Sequence, residues 1–251
     1  SLPSPFGPAI KADIPEVKEY VRFRDSWGES FIKVDGEVRR MGICYADPSI
    51  FSVFTFPLKY GTANGALKEL QNVVVTKEKA KELFGTDNAI GRTIEIKIEE
   101  KFVPFTVSAV AENIPANSSL RFDLLGHFSF METTSSAKRG VNNWNRSSYQ
   151  TFIKLQPGSG LVSNAKKLYE FRHKYYPQEE DELKREGFTW KSNEPPVTYR
   201  LQALRDIHTN AKLWGGSVES VNPKTIWILL SIAAGVLLIA CINFTTLAIG
   251  R

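Results

Sequence analysis

Cysteine and histidine are scarce in this chain of 251 residues, which contains two cysteines and three histidines. Cys44 stands alone in the polar part of the sequence, and Cys241 lies in an apolar run near the end, so no disulfide framework is expected. His127, His173 and His208 are far apart, and none has a second histidine or a cysteine at metal-ligand spacing. The sequence therefore predicts no bound metal.

The short motifs of common enzyme classes are also missing. The tripeptide Gly158-Ser159-Gly160 lacks the outer glycines of a GxSxG nucleophile elbow. The segment Gly85–Thr93 resembles a phosphate-binding loop, but five residues separate its glycines where that motif has four, and a helix pattern precedes it while a strand pattern follows. We therefore expect no ATPase activity in this chain, no cofactor, and no catalytic, cofactor-binding or metal-binding residue.

Charge of one sign is not concentrated in any segment. The formal net charge is +5, but basic and acidic residues are interleaved, for example over residues 77–82 and 179–186. A nucleic-acid surface needs basic residues gathered on one face, so no nucleic-acid partner is expected. The content of 42% hydrophobic and 24% charged residues is typical of a folded globule and not of a disordered chain.

No initiator methionine and no signal-peptide pattern stand between Ser1 and Ala12. We therefore expect the chain to be a segment from within a longer gene product.

A long hydrophobic run occurs only at the end of the sequence, where residues Ile226 to Ile249 carry no charge over twenty-four positions. At about 1.5 Å per helical residue the run covers roughly 36 Å, enough for a hydrocarbon core of about 30 Å. Trp227 suits an interfacial position, and Lys224 and Arg251 flank the run. The sequence predicts a transmembrane helix over residues 224–250, the alternative being a buried core helix.

Three residues of this helix are candidates for packing against another membrane helix, namely Gly235, Asn243 and Thr246. A side-chain amide is costly in lipid and tends to hydrogen-bond to a neighbouring helix. The alternative is that Asn243 lies close enough to the interface to reach the lipid headgroups.

Helical and strand periodicities intermix in the preceding 225 residues. Ile10, Ile14, Val17 and Val21 are at helical spacing and predict an opening amphipathic helix, with Pro15 as a kink or restart. Asp35-Gly36 predicts a two-residue hairpin turn between Ser30–Val34 and Val38–Ile43. Further strands are expected at Asn72–Thr76, Thr93–Ile98, Phe102–Val110, Ser147–Leu155 and Val197–Leu204, and further helices at Lys77–Phe84, Leu161–Tyr175 and Gln178–Arg185, the last as a helix or loop.

This intermixing predicts a mixed α+β fold followed by one transmembrane helix. Between the two, Gly215-Gly216 to Pro223 has the composition of a flexible neck.

Several segments resemble the extracytoplasmic core domain and second membrane helix of the MacB/FtsX-like permeases of ABC transporters, and they stand in the order that this family shows. The segments are PEVKEYVRF, DPSIFSVFTFPL with Gly61 following, VVVTKEKAKELFG, AIGRTIEI, FTVSAVAENIPANSSLRFDLL, Asp206-Ile-His208 and LLIACINFTTLAIGR.

The resemblance implies a two-lobed extracytoplasmic domain. Its membrane-proximal lobe would comprise residues 1–45 and 146–222, and an inserted distal lobe residues 46–145. A first membrane helix would precede Ser1, and two more would follow Arg251. The chain would lie in a bacterial inner membrane with residues 1–222 on the periplasmic side.

The resemblance also implies partners and a mechanical function. A cytoplasmic ATP-binding subunit would hydrolyse ATP, and its closure would move the outer domain to export or extract a lipoprotein, peptide or toxin. The expected partners are that subunit, a second permease copy, membrane lipid, and a periplasmic adaptor or the lipoprotein or peptide substrate. Transmitting force requires a stiff link, so we predict that the neck packs against the domain or is ordered by the preceding membrane helix.

Two other functions remain open at the level of sequence. Gly215, Gly216 and Ser217, a polar spacer and a hydrophobic tail have the general form of a cleaved lipid-anchor signal, although Asn243 and Arg251 fit that form poorly. A single-span ectodomain acting as a sensor or hydrolase is the other alternative.

Overall fold

A computed structural model describes residues 1–25, 28–115, 117–134, 138, 140–190, 197–204 and 223–250. The chain divides into two compact units, Ser1–Tyr199 and Arg200–Arg251. We call them the sheet unit and the helical unit. The neck around Gly215-Gly216 and the segment Asp206-Ile-His208 lie outside the described residues.

The sheet unit is built on eleven strands that form one sheet. Ten of them follow the order β1-β11-β2-β5-β10-β7-β9-β8-β3-β4, and β6 pairs with β9 off this path. The strands are β1 Leu2–Pro3, β2 Val17–Arg24, β3 Ser30–Val34, β4 Glu37–Met41, β5 Ile43–Ala46, β6 Leu58–Tyr60, β7 Asn72–Thr76, β8 Thr93–Ile98, β9 Lys101–Ala111, β10 Leu124–His127 and β11 Ser147–Leu155.

Neighbouring strands are antiparallel except for two parallel pairs, β5 with β10 and β7 with β9. Strand β7 lies between β10 and β9, and its Val73, Val74 and Val75 are fully buried. A continuous apolar run is the pattern of a strand that is covered on both faces. The strand predicted over Asn72–Thr76 is therefore confirmed, and the structure places it in the middle of the sheet.

The sheet separates two apolar layers, because alternate residues of a strand point to opposite faces. Val73 and Val75 belong to one layer together with Phe105, and Val74 belongs to the other layer together with Phe23. The sheet unit therefore has a core on each side of its central strands.

The hairpin turn between β3 and β4 confirms the prediction. Asp35 has φ of 48° and Gly36 has φ of 86°, the positive values that both central positions of such a turn require. The hairpin sits at the far end of the sheet, where β3 pairs with β8.

The helices of the described residues are mostly short. They are α1 Phe6–Asp13, α2 Ile50–Val53, α3 Ala63–Ala66, α4 Lys77–Phe84, α5 Phe128–Glu132, α6 Ala165–Tyr175, α7 Glu179–Arg185 and α8 Pro223–Ile249, with a 3₁₀ turn at Leu161–Ser163. The predicted helix over Leu161–Tyr175 is present, with a break where the Asn164 side chain caps α6 by accepting from the Lys167 amide at 3.0 Å. Gly85 ends α4 in the left-handed conformation, as its position predicts.

The opening helix is shorter than predicted. It ends at Asp13, and after Pro15 the chain enters strand β2, so the helical assignment of Val17 and Val21 is wrong. A spacing of four is shared by both structures, because residues i and i+4 lie on one face of a helix and also on one face of a strand. Val17 and Val21 are both buried on β2.

The prediction of a last strand over Val197–Leu204 is also wrong, because these residues are described and form no strand. Tyr199 is held instead by contacts between aromatic rings.

The mixed α and β class is confirmed by these elements. The division into a membrane-proximal and an inserted distal lobe stays a prediction. Strand β10 of the predicted distal lobe pairs with β5, and the β3–β4 hairpin of the predicted proximal lobe pairs with β8.

The helical unit contains α8, which has twenty-seven residues. Within the described residues it is the one helix long and apolar enough to cross a membrane, over Trp227–Ile249 with a mean hydropathy of 2.4. None of this stretch is buried. This favours a membrane span over a buried core helix as the reason for its composition.

Candidate functional site: the joined ends of the sheet unit

A buried ionic group lies where the amino-terminal segment meets β2. The guanidinium of Arg22 donates to both carboxylate oxygens of Asp47, from Nε at 2.9 Å and from Nη2 at 2.8 Å. Its Nη1 donates to Glu132 Oε1 and to Ser4 Oγ, each at 2.9 Å. The centre of the guanidinium also lies 4.0 Å from the centroid of the Phe128 ring. We call Ser4, Arg22, Asp47, Glu132 and Phe128 the Arg22 network.

The Arg22 network connects segments that are distant in sequence. Arg22 and Asp47 are each only 6% exposed, and the Ser4 hydroxyl donates to Glu132 at 2.6 Å. Burial by itself would lower the pKa of Arg22, but the carboxylates of Asp47 and Glu132 raise it above its ordinary value. Arg22 therefore keeps its positive charge in the interior, and the network ties the first residues of the chain to β2 and α5.

His127 adjoins this network at the start of α5. Its Nδ1 accepts a hydrogen bond from the Ser129 amide at 3.0 Å, so the neutral ring caps the helix. Burial lowers the pKa of His127, and the positive charge of Arg22 acts in the same direction, while the carboxylates of Asp47 and Glu132 oppose the shift without cancelling it.

We expect the free energy of unfolding to decrease as the pH falls below about 6.5, in part because of His127. The pKa is lower in the folded state, so the unfolded state takes up the proton first and is favoured by acid. His127→Asn keeps a side-chain acceptor at the helix start and should reduce this dependence between about pH 6.5 and 5. Urea titrations at several pH values measure it.

The control for this prediction is His173→Asn, because His173 is exposed on α6. The pH dependence of His127→Asn is compared with that of this variant. An equal change of slope in both variants would contradict the role given to His127.

A cluster of aromatic rings joins the two ends of the sheet unit. Phe6 of α1 contacts Phe171 of α6 with ring centroids 5.7 Å apart, and it contacts Tyr199 with centroids 4.8 Å apart. Phe6 and Phe171 are 3% and 4% exposed. The guanidinium of Arg172 lies 4.8 Å from the Tyr199 ring centroid. We call Phe6, Phe171, Arg172 and Tyr199 the aromatic junction.

Ion pairs fasten α6 to the segment around α1. Lys174 pairs with Asp13 at 2.7 Å, and the Tyr175 hydroxyl donates to the same carboxylate at 2.9 Å. Lys167 pairs with Glu16 at 2.7 Å. The hydrogen bond from Lys174 lowers the pKa of Asp13, and the one from Lys167 lowers the pKa of Glu16. These contacts keep α6 in a defined position against the amino-terminal segment.

The three helix-packing candidates lie within one sector of α8. With 3.6 residues per turn, Thr246 is about 20° and Asn243 about 80° around the helix from Gly235. The Thr246 hydroxyl donates to the Ile242 carbonyl oxygen at 2.7 Å, so its hydrogen bond is made within the helix. Within the described part of the chain, the Asn243 amide has no hydrogen-bond partner and is exposed.

The described residues contain no group of three or more histidine, cysteine, aspartate or glutamate side chains that could hold a metal ion. The residues that the sequence reasoning missed are those of the Arg22 network and the aromatic junction. Arg22 stands in a strand between Val21 and Phe23, and nothing in that local pattern shows that its side chain is buried.

The family model described as MacB-like periplasmic core domain matches residues 1–167, which is about two thirds of the chain. The chain belongs to this family. Its sheet unit is thus a MacB-like periplasmic core domain of an ABC transporter permease, and α8 adds a candidate membrane span. No curated protein sequence matches the chain.

Two solved structures resemble this MacB-like domain in fold. One is described as a domain of a permease protein from Porphyromonas gingivalis, with 23% identity, a TM-score of 0.61, and coverage of 71% of this chain and 79% of that chain. The other is the periplasmic region of MacB from Actinobacillus actinomycetemcomitans, with 15% identity, a TM-score of 0.50, and coverage of 76% and 85%.

Proposed function

We propose that this domain is the outer part of a permease that couples cytoplasmic ATP hydrolysis to movement on the periplasmic side, for export or extraction of a lipoprotein, peptide or toxin. The observation that supports this function best is the contact between Phe6 and Tyr199 in the aromatic junction. In the proposed permease, membrane helices precede and follow this domain. Both connections to the membrane would therefore enter the sheet unit at the same packed cluster.

A packed cluster transmits displacement because protein interiors have low compressibility. Phe6 lies in the same short segment as Ser4, which donates to Glu132 in the Arg22 network. A displacement of the junction would thus be passed to β2, to α5 and from there to the sheet. These rigid contacts support movement of the sheet unit as one body.

The chain itself would not hydrolyse ATP; a cytoplasmic ATP-binding subunit would do so, and a second permease copy would complete the dimer. Residues 1–222 would lie on the periplasmic side of a bacterial inner membrane, in contact with lipid, with substrate or with an adaptor.

We further propose that the α8 sector with Gly235, Asn243 and Thr246 packs against another membrane helix. The unpartnered Asn243 amide supports this, because such a group is costly in lipid. The family match favours the permease over a single-span sensor or hydrolase.

A flexible insertion between Gly215 and Gly216 tests the coupling. A Gly/Ser insert should abolish transport by the assembled transporter while leaving its ATP hydrolysis intact, because a longer and flexible neck no longer transmits force. Transport in reconstituted vesicles and phosphate release are measured on the same preparation.

The control carries the same insert in the turn between β8 and β9, at Glu99-Glu100, where the Glu100 side chain is 92% exposed. This variant should transport like the parent. Full transport with the lengthened neck would disprove the coupling proposed here.

A further inference from the structure

A groove of about 470 Å³ lies where residues 144–145 meet the end of α6 and the start of α7. Two of its walls are aromatic. The Trp144 ring stacks on Tyr175 with centroids 3.9 Å apart and planes 19° apart. Its other aromatic contact is with Tyr176, at 5.9 Å and 88°. The groove therefore has an aromatic corner, and we call it the aromatic-acidic groove for the reasons below.

The corner is held in place by hydrogen bonds from both tyrosines. The Tyr176 hydroxyl donates to the Trp144 carbonyl oxygen, and the Tyr175 hydroxyl donates to Asp13 of α1 at 2.9 Å. Tyr176 also lies 4.9 Å from the guanidinium of Arg172, which belongs to the aromatic junction. The rings are thus positioned before any ligand arrives, which lowers the entropic cost of binding.

Carboxylates line the same groove. Glu179 is already paired with Arg172, with a hydrogen bond of 2.7 Å from Nε. Glu182 is exposed, and among the described residues its carboxylate has no partner. The described lining of the groove therefore presents one unpaired carboxylate, that of Glu182, in a chain whose formal net charge is +5.

Two cations of the protein itself already lie near these rings. Besides Arg172 on Tyr176, the Lys174 ammonium lies 5.2 Å from the Tyr175 ring centroid. Aromatic faces attract cations because of their negative quadrupole, and a carboxylate nearby strengthens this. At the groove, Trp144 and Glu182 offer the same combination to a cation from another molecule.

Two side-chain amides in the groove indicate what kind of molecule would carry the cation. The side chains of Asn145 and Gln178 line the groove and are exposed, without hydrogen-bond partners among the described residues. A carboxamide offers both a donor and an acceptor, which is what the main chain of an extended peptide requires. We propose that the aromatic-acidic groove binds a lysine or arginine side chain of an extended polypeptide segment. This site does not depend on the coupling proposed above.

The test uses the whole chain in detergent micelles and a fluorescein-labelled glycine-lysine peptide, followed by fluorescence anisotropy. The same peptide with acetylated lysines keeps the shape but removes the charge, and a glycine-glutamate peptide reverses it. We expect binding of the lysine peptide alone. Equal binding of the acetylated peptide would overturn the proposal.

Glu182→Gln should weaken binding of the lysine peptide about threefold, the effect of one carboxylate in a solvated groove. The matched control, Glu69→Gln, makes the same charge change at an exposed residue in another part of the sheet unit and should bind like the parent. Trp144→Leu should also weaken binding, since it keeps an apolar side chain but removes the aromatic face. If Trp144→Leu fails to fold, the comparison of Glu182→Gln with Glu69→Gln tests the location of the site by itself.

Phosphoethanolamine distinguishes the polypeptide from a lipid headgroup. This soluble headgroup should not compete with the lysine peptide at matched concentration, because it offers no peptide main chain to Asn145 and Gln178. Equal competition would overturn the assignment to a polypeptide. Equal loss of affinity in Glu182→Gln and Glu69→Gln would overturn the location.

Discussion

Arg22→Met should lower the free energy of unfolding by about 3–5 kcal/mol, the typical cost of removing one partner from a buried ion pair. The side chains of Arg22 and Asp47 are 7% and 9% exposed. Without the guanidinium, the Asp47 and Glu132 carboxylates remain in the interior and lose the cation that pairs with both of them. Urea unfolding followed by circular dichroism measures the change.

The control for this prediction is Arg39→Met. Arg39 pairs with Glu37 on the surface of the β3–β4 hairpin, where the two side chains are 41% and 71% exposed. Exposed pairs contribute about 0–1 kcal/mol, so this variant should be nearly as stable as the parent. A loss in Arg22→Met no larger than in Arg39→Met would contradict the buried network.

Neutralising Asp47 and Glu132 should recover part of the free energy of unfolding that Arg22→Met loses. In the triple variant Arg22→Met, Asp47→Asn, Glu132→Gln no unpaired charge is left in the interior. Breaking a pair is costly mainly because of that charge, so the triple variant should be more stable than Arg22→Met alone. A triple variant that is less stable would indicate that packing around Arg22 dominates.

Phe6→Ala should lower the free energy of unfolding by about 3–5 kcal/mol, as deletion of a buried phenylalanine ring does. Phe6 contacts Phe171 and Tyr199, so the cavity would open between the two ends of the sheet unit. The unfolding transition of the chain gives the loss in stability. In the assembled transporter, we expect the same variant to reduce transport per ATP hydrolysed, because a junction with a cavity would deform and transmit less of the movement.

Phe31→Ala is the matched control, because it deletes the same ring from a residue that is 40% exposed on β3. Surface substitutions usually change stability by less than about 0.5 kcal/mol. Transport per ATP should stay at the level of the parent in this variant. If Phe6→Ala transports like Phe31→Ala, the junction is not part of the coupling path.

Elements with a strong local signal are predictable from sequence in this protein. The apolar run of α8, the Asp35-Gly36 turn and the valine run of β7 each carry a composition that one structure satisfies best. The errors fall where a local pattern fits two structures or where no local pattern exists. Val17 and Val21 fit both a helix and a strand. Val197–Leu204 has strand-like residues, but Tyr199 packs against the rings of Phe6 and Phe171 and the segment pairs with no strand among the described residues.

Functional candidates divide in the same way. Gly235, Asn243 and Thr246 are visible in sequence, because a small or polar residue stands out in an apolar run. The Arg22 network is not, since Arg22 meets Asp47 at a separation of 25 residues and Glu132 at a separation of 110. Charged residues are common in the sheet unit, and sequence alone does not show which of them are buried.

By itself the amino-acid sequence determined the membrane-length helix, the mixed class and most of the central strands, because these depend on the composition and periodicity of short segments. Only the tertiary structure decided that Phe6 lies against Tyr199, that Arg22 is enclosed by two acids, and that Trp144 forms a corner with Tyr176. Such contacts join residues that are distant in the chain. They form only when the whole sheet unit folds, and the local sequence pattern does not show them.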